Sequence, residues 1–290
     1  MSWRESPLLI ACEGETLIGV LAEPAQADTA RNTGVVIVVG GPQYRAGSHR
    51  QFTDLARALA GAGYAALRFD LRGMGDSTGN APGFDACDTD VAAAVDALLQ
   101  RCPHLEGVAL WGLCDGASAA LLYLDVRADT RITGLCLLNP WVRSPAGLAS
   151  ARVKHYYLQR LGERDFWAKL LRGGVGFAAL RGWMANVRLA RSTRTGGGVR
   201  PPTSYQDRMA RAWSAFPGRI LLILSGQDLT AREFVDYALR DTAWQGLLSA
   251  ARVECCDLPE ADHTFSAPDD KCRVEARTID WLATLGATVR

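Results

Sequence analysis

The chain has 290 residues, enough for one large α/β domain or two ordinary ones. Hydrophobic residues make up 48% and charged residues 22%, with a net charge of +1. That composition excludes a disordered chain and gives no overall pull towards nucleic acid or a membrane surface. The eight cysteines form no Cys-x-x-Cys pair and no zinc-like spacing. Most fall in apolar runs, so they read as reduced thiols of a cytoplasmic protein, with no metal and no cofactor expected. The start, "MSWRESPLLIACEGETLIGV", lacks a basic region followed by a long apolar core, and no apolar run approaches the ~18 residues of a membrane-spanning helix.

In chain order, Leu8–Cys12 and Leu17–Leu21 flank Glu13-Gly14-Glu15 and predict a hairpin. "GVVIVVGG" is a continuous β-branched run, suited to a strand buried on both faces of a parallel sheet. Phe52, Leu55, Ala56 and Leu59 predict a helix that stops by Gly63. "YAALRFDLRG" supplies a strand and a polar turn, in which Asp70, Arg72 and Asp76 read as turn builders. A helix starting at Asp85 or Asp88 carries Val91, Val95, Leu98 and Leu99 on one face and ends by Pro103. Val108–Trp111 is a strand and Ala117–Leu124 a helix; "ITGLCLLNP", "GRILLILSG" and "ARVECCDLP" are further strands. A last helix opens at Pro268-Asp269-Asp270, its acidic residues favourable in the first turn, and buries Val274, Thr278, Trp281, Leu282 and Leu285.

This alternation predicts a mostly parallel sheet with helices on both faces, and chemistry beyond the carboxyl ends of its strands. Residues 143–213 break the rhythm and predict an inserted cap between core segments 1–142 and 214–290. The insertion holds 14 Lys and Arg against 3 Asp and Glu, with many aromatics. The near-neutral total therefore hides a basic segment within an acidic body.

At the strand-to-helix junction stands "GLCDG", Gly112 to Gly116. Glycines two residues either side of a nucleophile mark a nucleophile elbow, where serine is usual and Cys114 stands here. The alternative is a small buried thiol in a glycine-rich strand end. Two further motifs favour the catalytic reading. Asp228 follows the strand "ILLILSG", and His263 lies in "ADHTF" before the last helix. The order Cys114, Asp228, His263 is that of nucleophile, acid and base in α/β-hydrolases. Of the other histidines, His104 lies at the wrong sheet end, His155 in the cap, and His49 near enough to line the site. A helix cap is the plainer role for Asp228, and Asp262 and Asp257 are weaker rivals as the acid.

"FDLRGMGDSTG", "GQD" and "ADHTF" resemble motifs of α/β-hydrolases of the serine aminopeptidase-like and lysophospholipase-like branch. More narrowly, "VVGGPQYRAGSHRQF", "FDLRGMGDSTG", "LWGLCDGASAALLY" and "LLNPWVR" resemble the first type of α/β-hydrolase associated with the exosortase A system. That group accompanies bacterial exopolysaccharide production and a predicted acyl-CoA ligase. The resemblance spans nearly the whole chain and implies the α/β-hydrolase fold and the triad, but no substrate. Cysteine in place of serine is shared with some dienelactone-hydrolase-like enzymes. An oxyanion hole needs two N–H donors. One falls to Asp115, the residue after the nucleophile. The second falls to Gln43 or Gly41, with Gln43 slightly favoured, because this chain has Gly40-Gly41-Pro42-Gln43 where most relatives have His-Gly, and Pro42 has no N–H.

These readings converge on hydrolysis of an ester or thioester through an acyl-enzyme. An acyltransferase with the same triad, a peptidase, and a binding protein that has lost turnover are the alternatives. The basic cap points to an anionic ligand such as an acyl-CoA or acidic saccharide, with a solvated outer face as the plain reading. No nucleic-acid partner is expected, and the glycines near residue 40 do not match a dinucleotide pattern.

Overall fold

The structure is a computed structural model that describes residues 3–26, 30–41, 43–143 and 203–285. It opens on a hairpin, β1 (Trp3–Cys12) and β2 (Glu15–Pro24), paired from Trp3↔Pro24 to Cys12↔Glu15. Its two-residue turn puts both Glu13 and Gly14 at positive φ, the geometry that matches the twist of the flanking strands. The strands run several residues beyond the apolar cores seen in sequence, because an edge hairpin tolerates polar residues on its open face.

The other strands follow in order: β3 (Thr33–Val38), β4 (Ala66–Phe69), β5 (Gly107–Leu113), β6 (Ile132–Leu138), β7 (Arg219–Ser225) and β8 (Val253–Leu258). They form one eight-stranded sheet ordered β1-β2-β4-β3-β5-β6-β7-β8, in which only the pairings of β2 are antiparallel. Central strands β3, β4 and β5 are buried along their whole length, as a sheet covered on both faces requires. Among the described residues the α-helices are α1 (Gln51–Gly61), α2 (Asp88–Arg101), α3 (Asp115–Arg127), α4 (Tyr205–Ala215), α5 (Leu229–Arg240) and α6 (Pro268–Leu285). This is the α/β-hydrolase fold. No helix among the described residues is long and apolar enough to cross a membrane.

α3 is buried on nearly every side from Gly116 to Leu124. Gly116, Ala117, Ser118, Ala119 and Ala120 open it with small side chains, which lets its first turns lie close to the sheet. Its other faces meet α2 and α4. The core unit comprises Met1–Trp141 and Ser204–Arg290, so the chain rejoins it at Ser204. α4 begins with a reciprocal cap between Ser204 and Asp207 and buries Met209 and Trp213. Trp213 packs against Phe234 and Trp244, with ring centroids 6.4 and 5.5 Å away, and serves the core. Most of the predicted cap, residues 144–202, lies outside the described residues.

The loops above the strand ends are fixed by one buried carboxylate. Asp70, directly after β4, is fully buried. Its oxygens accept from the Arg45 N–H (2.6 Å), the Asp76 N–H (3.0 Å) and the Arg45 guanidinium, and its carbonyl accepts from Ser77 Oγ (2.8 Å). Asp70 therefore ties the loop after β3 to the loop after β4. Gly75 stands against it at positive φ, where an added Cβ would meet the carboxylate at 2.3 Å. The expected turn-building role is thus enlarged into a tie between two loops. Asp70→Ala leaves two N–H groups without their acceptor and Arg45 paired with the exposed Asp76 carboxylate, and should lower the unfolding free energy by about 3 kcal/mol in urea titration.

Candidate active site

Cys114 occupies the N-cap of α3 with φ 60 and ψ −124, a conformation that costs ~1–3 kcal/mol for a residue with a side chain. The surroundings hold it there. Its N–H donates to Leu138 O (2.8 Å), and its carbonyl accepts from Ala117, Ser118 and Trp141 N–H at 3.1, 3.3 and 3.2 Å. The Ser118 hydroxyl bridges to the Trp141 carbonyl at 2.7 Å. Both flanking glycines are required by backbone contact. A Cβ at Gly112 would lie 2.5 Å from Gly116 O, and one at Gly116 would lie 2.4 Å from Val38 O. A third glycine, Gly40 after β3, completes the contact: its Cβ would meet Gly116 N at 2.4 Å and Asp115 Oδ1 at 2.1 Å. The Cys114 side chain stays partly exposed above this backbone crossing.

His263 and Asp228 meet beside it. Asp228 Oδ2 accepts from His263 Nδ1 at 2.7 Å, and Cys114 lies close enough to the same ring to raise its pKa. With Nδ1 engaged, Nε2 is the nitrogen left for the thiol. Asp228 also caps α5, accepting from Thr230 N–H (3.0 Å) and Ala231 N–H (3.1 Å). The capping and the ring-orienting readings of this residue are therefore both true. Asp262 instead gathers its own loop, accepting from Thr264 N–H and Ser266 N–H at 3.0 Å each, and Asp257 is exposed. His49 lies in a short 3₁₀ turn outside the cleft described below.

The electrostatics follow from these contacts. The Asp228 hydrogen bond, then the nearby Cys114, pushes the His263 ring up to about 10 against the opposing effect of burial. Burial pushes the Asp228 carboxyl up, but the His263 ring and the two capping N–H groups outweigh it and hold it below the usual range.

Asn139 is a site residue that the sequence reading missed. It follows β6, is fully buried, and has φ 44. Its amide nitrogen donates to Ser225 Oγ (2.7 Å) and to the His263 carbonyl (3.2 Å), while its oxygen accepts from Ser225 N–H (2.9 Å). It clamps the end of β7, three residues before Asp228, to the histidine loop. The signal was present: an Asn closing an apolar strand is a residue type that tolerates positive φ. Gly226 and Gln227 add backbone bonds to Leu258 O (2.9 Å) and Ala261 O (3.0 Å).

Gly41, Gln43 and Asp115 line a cleft of about 690 Å³ whose other walls include Tyr44, Leu71, Met74 and Phe84. The Gly41 N–H lies near the Asp115 carboxyl and favours its charged form. The Gln43 side chain is turned to Ser48 Oγ at 3.2 Å.

The comparisons with known proteins agree with this fold. The profile of the Alpha/beta hydrolase family matches residues 35–274. The chain belongs to that family. A search of curated proteins finds no match. Among solved structures the chain is similar to the esterase Pf2001 of Pyrococcus furiosus, with a TM-score of 0.63 and 17% identity over 98% of this chain and 91% of that one. A dienelactone hydrolase from Anabaena variabilis aligns with a TM-score of 0.61 and 16% identity over 97% and 98%. Est1E from Butyrivibrio proteoclasticus, solved with ferulic acid bound, aligns with a TM-score of 0.61 and 17% identity over 97% and 100%. At these identities the likeness is one of fold.

Two predictions test the Asp228–His263 pair. Asp228→Asn keeps a good cap and removes the charge, so turnover should fall by about 10²–10⁴, and the unfolding free energy near neutral pH should fall by what the charge contributes through His263. Asp228→Ala should lose ~1 kcal/mol more, read by urea titration of both variants. The second concerns pH. His263 holds its proton more tightly folded (about 10) than at its ordinary 6.5. Its stabilisation is complete below pH 6.5 and is lost as pH rises towards 10. The urea midpoint should therefore fall more steeply across that window in wild type than in His263→Gln.

Proposed function

We propose that this protein hydrolyses an ester or thioester through an acyl-enzyme on Cys114. The observation that carries the reading is the convergence of three side chains from three loops. Cys114 follows β5, Asp228 follows β7, and His263 follows β8, with Nδ1 of the ring 2.7 Å from the acid. A structural thiol has no need of a strained φ, an imidazole and a buried carboxylate behind that imidazole.

His263 takes the thiol proton at Nε2, and the Cys114 sulfur attacks the substrate carbonyl carbon. The carbonyl π pair moves onto oxygen, where the N–H of Asp115 and that of Gly41 or Gln43 receive it. Gly41 and Gln43 both line the cleft with Asp115. Collapse of the tetrahedral species breaks the bond to the leaving alcohol or thiol, which takes the proton from the imidazolium. Water, deprotonated by the same ring, then cleaves the thioester and restores the thiol. Asp228 keeps the ring in the Nδ1–H form and offsets its positive charge throughout. An alcohol in place of water would make the reaction acyl transfer.

The link to exopolysaccharide production and a cytoplasmic location rest on the sequence resemblance and on the thiol chemistry. None of the eight cysteines is in a disulfide. A role for the basic segment in holding an anionic substrate rests on its charge alone.

Excess p-nitrophenyl acetate should give a nitrophenol burst near one equivalent, an acetyl group on Cys114 by peptide mass, and neither in Cys114→Ala. Labelling spread over several thiols, with no steady turnover, would favour a binding protein on the same fold.

A further inference from the structure

Asn139 is bonded more fully than the end of a strand requires. Two partners of its amide work one way only. The His263 carbonyl can only accept, at 3.2 Å, and the Ser225 N–H can only donate, at 2.9 Å. They fix the amide nitrogen towards the histidine and the amide oxygen towards β7. The other amide hydrogen goes to Ser225 Oγ at 2.7 Å, so neither is idle. The residue is fully buried at φ 44, a strained conformation held in place by these bonds. The same strand end also holds the nucleophile. The Leu138 carbonyl accepts from the Cys114 N–H at 2.8 Å, and the Trp141 N–H donates to the Cys114 carbonyl at 3.2 Å. Residues 138–141 thus grip the main chain of Cys114 and, through the Asn139 side chain, the main chain of His263. The Asp228 bond does something different. It meets the ring at Nδ1 and sets its rotation and tautomer, but not the place of the backbone that carries the ring. Asp262 ties Thr264 and Ser266 within the loop, which shapes the loop without anchoring it to the sheet. The Gln227 N–H anchors the Ala261 carbonyl at 3.0 Å, two residues before the base, and Asn139 anchors the base itself.

We infer that Asn139 is a positioning residue: it sets the separation of the His263 ring and the Cys114 sulfur by fixing the base to the strand end that holds the nucleophile. The inference rests on the acyl-enzyme reading above and deepens it. Without the bond to its carbonyl, His263 keeps its pairing with Asp228 but moves with its loop. Proton transfer between sulfur and ring is sensitive to that movement, since a misplacement of about 1 Å costs on the order of a hundredfold in rate. The amide is buried and touches no substrate, so its loss slows acylation without weakening binding.

The test follows the p-nitrophenyl acetate burst of the full chain and reads its rate constant, its amplitude and the ester concentration at half-saturation. Asn139→Gly suits φ 44 and removes the amide. Its burst should be about ten- to a hundredfold slower, with the amplitude near one equivalent and half-saturation unchanged. A merely structural role would do the reverse, lowering the amplitude by leaving less protein folded and sparing the rate constant. Tyr123→Phe is the benchmark for that case. It cuts the bond from the Tyr123 hydroxyl to Asp129 near the far end of α3, and should keep the wild-type rate constant. Asn139→Asp decides the case if the glycine variant fails to fold. An ionised carboxylate there can accept from both the N–H and the hydroxyl of Ser225, but gives the His263 carbonyl no donor. Its burst rate, as a ratio to wild type, should fall from acid to mildly alkaline buffer as that carboxyl ionises. A wild-type rate constant in Asn139→Gly, with or without lost amplitude, would overturn the inference while Cys114-dependent turnover stands. So would a wild-type rate constant in Asn139→Asp across the pH range, which would assign any slowing in the glycine variant to the β7 side of the clamp. Turnover that survives Cys114→Ala would overturn the acyl-enzyme reading, and the inference with it.

Discussion

The active region depends on a backbone crossing in which three glycines leave no room for a Cβ. Gly112 at the end of β5, Gly116 in the first turn of α3 and Gly40 after β3 approach within contacts of 2.4–2.5 Å for any added carbon. That crossing presses α3 down onto the sheet and forces the residue between, Cys114, into a strained turn with φ 60. The strain is offset by four backbone hydrogen bonds around the turn. The positive end of α3 is then aimed at the Cys114 position, its N-cap.

The rest of the site is delivered to that point by loops laced to one another. Asn139 and Gly226 hold the ends of β6 and β7 to the histidine loop, and Asp228 is fixed by capping α5. One carboxylate thus does two jobs: it starts a helix and it orients a ring. On the other side of Cys114, Asp70 fixes the two loops that wall the cleft. Both sides rest on buried carboxylates just after strand ends, each with backbone N–H partners.

Much of this was legible in the sequence, for physical reasons. Continuous β-branched runs such as Val35–Val38 have one comfortable home, a sheet covered on both faces. The glycine spacing around Cys114 has a steric cause, and all three triad candidates fall on one edge of the sheet. What was not legible depends on contacts between distant segments. Nothing local separates the N–H of Gly41 from that of Gln43, and both residues line the same cleft. Asn139 looked like a strand terminator, and its bonds reach Ser225 and His263, 86 and 124 residues away. Trp213 looked like one of the insertion's aromatics, whereas its partners Phe234 and Trp244 come later in the chain.

The central claim is that Asp228 and Cys114 together make His263 a strongly basic partner of the thiol. An NMR titration of the His263 ring, in wild type and in Cys114→Ala, tests it most directly. The account predicts a wild-type ring that stays protonated through pH 8 and titrates near 10, with a lower value once the thiol is removed. A ring that titrates at its ordinary 6.5, or one indifferent to loss of Cys114, would contradict it.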